Sequence, residues 1–291
     1  TTETKFRIGS ISKSLTSAAV GLLVERGLLE LDAPVQTYVP DFPEKTHPIT
    51  TRQLAGHQSG IPHYGSEDFQ NFEPYEGVFH ALDKFKDREL LFVPGERFEY
   101  SSFGFNLVSA VVQGASGRQF VDFMHDEVFE PLGMPNTVPD DYRMIVANRT
   151  GFYEPLEGGA VGNAPFTDNS DVWAGGGYLS TPTDLARFGR GLLEGELLAT
   201  ETVELLWTAQ RTTGGEETPY GIGWFVRTND ADEKVVSHGG AHFGASAQLV
   251  ILPSRRLIVA ITANMSGANV GERLGQILEL FEALASPASG S

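Results

Sequence analysis

The chain has 291 residues, 41% hydrophobic and 20% charged, and its 21 basic against 38 acidic side chains give a net charge of −17. That apolar content excludes disorder for the bulk of the chain, and so acidic a surface repels nucleic-acid phosphates and anionic lipid. The absence of cysteine removes disulfides, thiolate zinc sites and a cysteine nucleophile together.

The longest apolar runs, such as 257–261, fall far short of the ~18 residues that a membrane span needs. The polar start, 1–7, lacks the layout of a signal peptide, and the compartment stays open. The tail, 286–291, is small and polar and is expected to fray.

Along the chain, Ile11, Leu15, Ala18, Ala19, Leu22 and Leu23 recur at helical spacing. They predict an amphipathic helix over 10–26 with Gly27 as its stop. Helices are predicted likewise over 103–115, ending near Gly117, and over 119–129. Thr183 reads as the N-cap of a further helix, with Leu185, Phe188, Leu192 and Leu193 on its inner face. Strand-like runs follow at 220–227, 244–252 and 257–264, the last two joined by a turn of hairpin length at 253–256. A final helix over 269–284 presents Val270, Leu274, Ile277, Leu278, Phe281 and Leu284. Strands that gather late, after a middle of helix and loop, indicate an α+β fold. The expected organisation is a single domain over 1–291. A mostly helical part, roughly 28–195, is inserted between sheet-associated ends, 1–27 and 196–291.

Three segments carry candidate chemistry. Ser10 and Lys13 stand three apart at a helix start, so their side chains share a face. The unpaired N–H groups of that first turn favour developing negative charge. A lysine whose pKa is depressed can activate a serine, although the spacing alone also describes a capped helix with a solvated lysine. Tyr100-Ser101-Ser102 precedes the next helix in a loop that can project a phenol, and a neighbouring ammonium would favour the phenolate. Finally, His238-Gly239-Gly240-Ala241 opens a strand-like run. Its glycines allow close backbone approach, and the Ala241 N–H can join that of Ser10 in an oxyanion hole. The remaining histidine pairs, His57 with His63 and His238 with His242, lack a helical face to share and read as structural or solvent-facing. No metal site and no cofactor motif is found.

In this order, S-x-x-K, Y-x-S and H-x-G resemble the three motifs of the serine β-lactamase and penicillin-binding-protein superfamily. The spacing, together with FRIGSISKS at 6–14, LAGHQSGI at 54–61, Pro94-Gly95, FEPLGM at 129–134 and GGGYLST at 175–181, is similar to its class C, D-alanyl-D-alanine carboxypeptidase and family VIII esterase branch. The stretches 35–45 and 168–177 look most like the LACTB-type serine β-lactamase-like proteins.

The resemblance implies a β-lactamase/transpeptidase-like fold, with an antiparallel sheet flanked by helices plus the helical subdomain. It implies an acyl-enzyme on Ser10, with Lys13 as base and Tyr100 as proton relay. Ser10 and Ala241 would form the oxyanion hole, and Ser102, His238, Gly239 and Gly240 would bind a peptide or ester substrate. Ser102 stands where an asparagine is common, and His238 where a lysine is. Both changes weaken recognition of a β-lactam and its carboxylate, so weak or no β-lactamase activity is expected. Only nine residues precede Ser10, so the first two strands of the family's sheet are expected to be missing, with an exposed sheet edge in their place. The alternative is a catalytically silent sensor or filament scaffold on the same fold. A homo-oligomer is left open.

Overall fold

The structure, a computed structural model, describes residues 1–285 apart from Ser66 and Phe69, with side chains of the last helix described as far as Ile277. The expected core positions Leu278, Phe281 and Leu284 and the tail 286–291 lie outside the described side chains and residues.

The chain enters through β1, Phe6–Arg7, and turns at Gly9 into α1, Ile11–Glu25. The predicted inner positions of α1 are buried, but so are Ser12, Lys13, Ser14, Thr16 and Ser17. The helix is therefore enclosed all round as far as Leu23, where a one-sided amphipathic helix was expected. Composition allows this, because no charged residue lies between Lys13 and Glu25. The hydroxyls also find internal acceptors: Ser14 Oγ donates to the Gly223 carbonyl (2.8 Å), Thr16 Oγ1 to that of Ser12 (2.9 Å) and Ser17 Oγ to that of Ser14 (2.8 Å). Burial thus leaves these groups satisfied.

Next come α2, Thr51–Ala55, opened by a capping box between Thr50 and Gln53, and the single turn α3, Val78–Ala81. Helix α4, Ser102–Ser116, is capped by Ser101, whose Oγ accepts the Gly104 N–H at 3.0 Å, and it stops at Gly117 with φ +67°. The expected 119–129 helix is two pieces, α5 at Phe120–Met124 and a π-helical turn at His125–Phe129 that buries Val128 and Phe129. Short strands interrupt a middle read as helix and loop: β2, Val138–Pro139, then β3, Tyr153–Pro155, and β4, Val161–Asn163. After α6, Trp173–Gly176, strand β5, Tyr178–Ser180, pairs antiparallel with both β1 and β2. Helix α7, Pro182–Glu194, is capped by Thr181 and not by Thr183. Thr181 Oγ1 accepts the Asp184 N–H at 3.1 Å, and Pro182 fills the first position, where no N–H is needed. Helix α8, Thr200–Leu206, leads into the main sheet.

That sheet is antiparallel, in the order β6 (Phe225–Thr228), β7 (Lys234–His242), β8 (Ala245–Leu252), β9 (Leu257–Ala263). Strand β7 escaped the periodicity reading because its second half holds two glycines and two histidines in place of alternating apolar residues. His238-Gly239-Gly240-Ala241 consequently ends a strand instead of opening one. Strand β6 pairs with β7 only over 234–237, so the 238–241 edge is free of a strand neighbour on that side. At the far side β9 pairs only with β8 among the described residues, leaving one outer edge without a strand. Helices α7 and α9, Val270–Ala285, lie against β9, while α1 packs on β7 and β8 and contacts α4, α6 and α8. The result is an α+β fold in which the N-terminus of α1 meets the sheet and the helical layer together. No helix among the described residues is long and apolar enough to cross a membrane.

Candidate active site

Ser10 sits at the mouth of α1, where β1 has just ended and Gly9 turns the backbone through φ +49°. Its side chain makes no capping bond, which leaves Oγ to other partners. One helical turn on, Lys13 Nζ donates to Ser10 Oγ (3.1 Å), Ser102 Oγ (3.1 Å) and the Gly175 carbonyl (2.6 Å). Lys13 is fully buried with no carboxylate among these partners, and burial alone lowers its pKa from 10.5 to about 7. Near neutral pH the amine therefore exists in both states. Without its third proton it can hold Gly175 and Ser102 with two N–H groups and turn a lone pair to the Ser10 hydroxyl.

Tyr100 reaches the same serine from the loop before α4. A side-chain hydrogen bond with Ser10 favours its ionised form, but burial outweighs it and raises the phenol pKa above its ordinary value. The expectation of a phenolate encouraged by the lysine is thus overturned: Tyr100 stays a phenol, with its ring centroid 4.9 Å from Lys13 Nζ.

Two glycines bring the backbone of β7 against Ser10. A Cβ on Gly240 would fall 1.8 Å from the Ile8 carbonyl oxygen and 3.3 Å from Ser10 N. One on Gly9 would fall 2.7 Å from Ala241 N. Bare backbone at both positions brings the Ser10 and Ala241 amides to one rim, and the Ser10 N–H has no acceptor among the described residues. Such a pair of donors can hold an oxyanion.

His238 is placed differently from a charged substrate anchor. It is 1% exposed, its Nε2 lies 2.7 Å from Tyr220 Oη, and its Nδ1 lies 2.7 Å from the Gly239 carbonyl. The carbonyl can only accept, so Nδ1 carries the proton and Nε2 takes the tyrosine hydroxyl hydrogen. Burial first, then the Lys13 charge, lowers its pKa to about 3. The imidazole is a neutral wall.

Residues that sequence reasoning set aside hold the tyrosine loop. His57 Nδ1 accepts the Ser101 N–H and His63 Nδ1 accepts the Ser102 N–H, each at 3.1 Å. His57 lies within the 54–61 run and His63 two residues after it, and that run was the signal available. Gly175, named only as part of a glycine run, supplies the shortest bond to Lys13.

Ser10, Tyr100 and Ala241 separate two hollows. One, of about 440 Å³, is lined also by His63, Ser102, Asp68, Glu154, Asp168 and Asp171, with no lysine or arginine in its lining among the described residues. The other, of about 450 Å³, runs along Phe225, His238 and Gly239. Asp68 is paired with Arg88 (2.7 Å) and Asp171 with Lys84 (2.6 Å), so the cations stand behind the acids.

The family description Beta-lactamase matches residues 1–282. This chain belongs to the beta-lactamase family. It is 32% identical to the human mitochondrial serine beta-lactamase-like protein LACTB, over 96% of this chain and 71% of that protein. It is 28% identical to a D-aminopeptidase of Gluconobacter oxydans, over 93% of this chain and 51% of the relative. Among solved structures, a penicillin-binding protein from Bacillus halodurans superposes with a TM-score of 0.81 at 27% identity, covering 98% of this chain and 86% of the other. Family and fold together support a serine hydrolase in general terms.

Proposed function

We propose that the protein is a serine hydrolase of peptide or ester bonds that works through an acyl-enzyme on Ser10. The observation that carries this reading is the buried Lys13 amine, 3.1 Å from Ser10 Oγ with a pKa near 7. In the reaction, neutral Lys13 takes the Ser10 proton as Oγ adds to the substrate carbonyl. The resulting oxyanion is held by the N–H groups of Ser10 and Ala241. Collapse of the tetrahedral species expels the leaving group, protonated through the Tyr100 hydroxyl, and leaves an ester on Ser10. Water then adds to that ester with its proton passing back to the same groups, releasing the acid and restoring Ser10. The two hollows on either side of Ser10 suit an acyl part in one and a leaving group in the other.

Several features argue for a peptidase or esterase with weak or no β-lactamase activity. His238 is neutral, Ser102 Oγ is occupied by Lys13, and the hollow beside Ser102 is lined by carboxylates. A substrate carboxylate finds no cation there. Treatment with a fluorophosphonate probe followed by peptide mass spectrometry tests the reading. Ser10 should carry the adduct in the unaltered protein and lose it in Lys13→Met; an unlabelled Ser10 overturns the reading.

A further inference from the structure

Beside Ser10 the cleft holds a neutral donor, His63, that the reaction as written does not use. His63 is exposed, lines the carboxylate-bearing hollow beside Ser10, Tyr100 and Ser102, and is anchored from three directions. Its ring stacks on Tyr64 with centroids 5.0 Å apart and meets Tyr100 edge-on at 5.7 Å, while Nδ1 accepts the Ser102 N–H at 3.1 Å. A ring nitrogen that accepts an N–H bears no hydrogen, so the neutral imidazole carries its proton on Nε2. Burial and the Lys13 charge both lower the His63 pKa, which favours that neutral ring. Nε2 has no acceptor among the described residues.

Resting on the acyl-enzyme reading, we propose that His63 is a specificity-determining residue whose Nε2–H donates to a carbonyl oxygen of the acyl group, so that the enzyme selects acyl groups bearing an amide next to the scissile bond. The second motif explains why this donor is needed. Ser102 is short and its Oγ is held by Lys13, so it cannot reach across the cleft to a substrate amide. A fixed donor stands one hydrogen bond further on, the ring seated on the Ser102 N–H. The carboxylates lining the same hollow offer no N–H or O–H when ionised. A donor already fixed in place costs little ordering when the substrate arrives. A site built around such a donor penalises an acyl group that leaves it without an acceptor. Because His63 is exposed, water partly compensates, and the discrimination is modest.

The test compares N-acetylglycyl and hexanoyl p-nitrophenyl esters, which differ in whether the acyl chain carries an amide carbonyl. The unaltered enzyme should prefer the acetylglycyl ester. His63→Phe keeps a ring to stack on Tyr64 but has neither nitrogen. It should lose about tenfold in kcat/KM on the acetylglycyl ester, mainly through KM, and no more than about threefold on the hexanoyl ester. His63→Ala, judged by the same ratio, serves if the phenylalanine variant does not fold. Loss of the Ser102 anchor would slow both esters alike, so equal losses, or no loss, overturn the donor assignment. An unaltered enzyme labelled at Ser10 that shows no preference, or cleaves neither ester, overturns it too. One that cleaves neither and takes no label overturns the acyl-enzyme reading as well.

Discussion

The His57 imidazole lies against the Tyr100 ring, centroids 4.1 Å apart, while its Nδ1 accepts the N–H of the next residue, Ser101, at 3.1 Å. One side chain thus holds both the phenol and the backbone that carries it. His57 itself has φ +57°, a conformation that asparagine tolerates better than most residues. Asparagine can also offer Oδ1 where Nδ1 now stands. His57→Asn should keep kcat within about tenfold of the unaltered enzyme, and His57→Leu should lose about 10²-fold, the scale of a small misplacement of a reacting group. Steady-state ester hydrolysis measures both; equal effects would show that the ring, and not its acceptor nitrogen, does the positioning.

The pH dependence of kcat/KM follows from Lys13. Its protonated form cannot take the Ser10 proton, so the rate should fall tenfold per pH unit below about 7 and level off above it. Burial raises the Tyr100 phenol, so its ionisation places no alkaline limb on the profile in the neutral range. Tyr100→Phe should lower kcat by about 10²–10³-fold yet keep the inflection near 7. Loss of that inflection in Tyr100→Phe would move the base assignment from Lys13 to Tyr100.

Lys13 also carries a stability cost. Moving an amine from 10.5 to about 7 corresponds, at about 1.4 kcal/mol per pKa unit, to roughly 5 kcal/mol against the charged form. The folded pKa lies below the unfolded one, so the cost is whole below pH 7, shrinks between 7 and 10.5, and vanishes above. Lys13→Met leaves the Gly175 carbonyl without its donor, so a net gain of about 1–3 kcal/mol at pH 6 is expected. Urea unfolding should show that gain narrowing as pH rises toward 10. A variant less stable than the parent at pH 6 would contradict it.

His57 and His238, each 1% exposed, set the acid limit. Burial holds the folded pKa of His57 well below 6.5 and that of His238 at about 3. The unfolded chain therefore binds more protons as pH drops through about 6.5, and folding stability falls in step. Above pH 7 the stability contribution of these two groups is constant. Below about 6 each takes away up to about 1.4 kcal/mol per pH unit, until the folded value is reached. Urea midpoints at pH 8, 6 and 5 check this, and His238→Asn should make the decline shallower.

Gly240→Ala tests the approach of β7 to Ser10. The added Cβ, 1.8 Å from the Ile8 carbonyl oxygen, forces the strand away from Ser10. Overpacking of this kind costs about 1–3 kcal/mol, and a displaced Ala241 N–H should cost about 10²–10³-fold in kcat. Retained kcat would remove Ala241 from the oxyanion hole.

Much of the outline was legible in residue order. The apolar spacing of Ile11 to Leu23 marks α1, the 257–264 run marks β9, and Gly117 marks the stop of α4, because these signals are local and repeat with the period of the element. Legibility failed where the local pattern is broken for the sake of the site. Strand β7 hides behind Gly239 and Gly240, the second of which must be bare to meet Ile8. Thr183 reads as the cap, but Pro182 occupies the first helical position and Thr181 caps it.

The sequence by itself determined the chemistry-bearing residue types, their order from Ser10 to His238, and the helix turn that places Lys13 beside Ser10. Tertiary structure alone decided their states. The Lys13 pKa is brought down to about 7 because α1 is enclosed on every side. Tyr100 stays a phenol because it is buried, and His238 is neutral because Tyr220 and Gly239 take both its nitrogens. Protonation depends on the solvent and partners removed or supplied by distant parts of the chain, and no spacing of residues along the chain states which parts those will be.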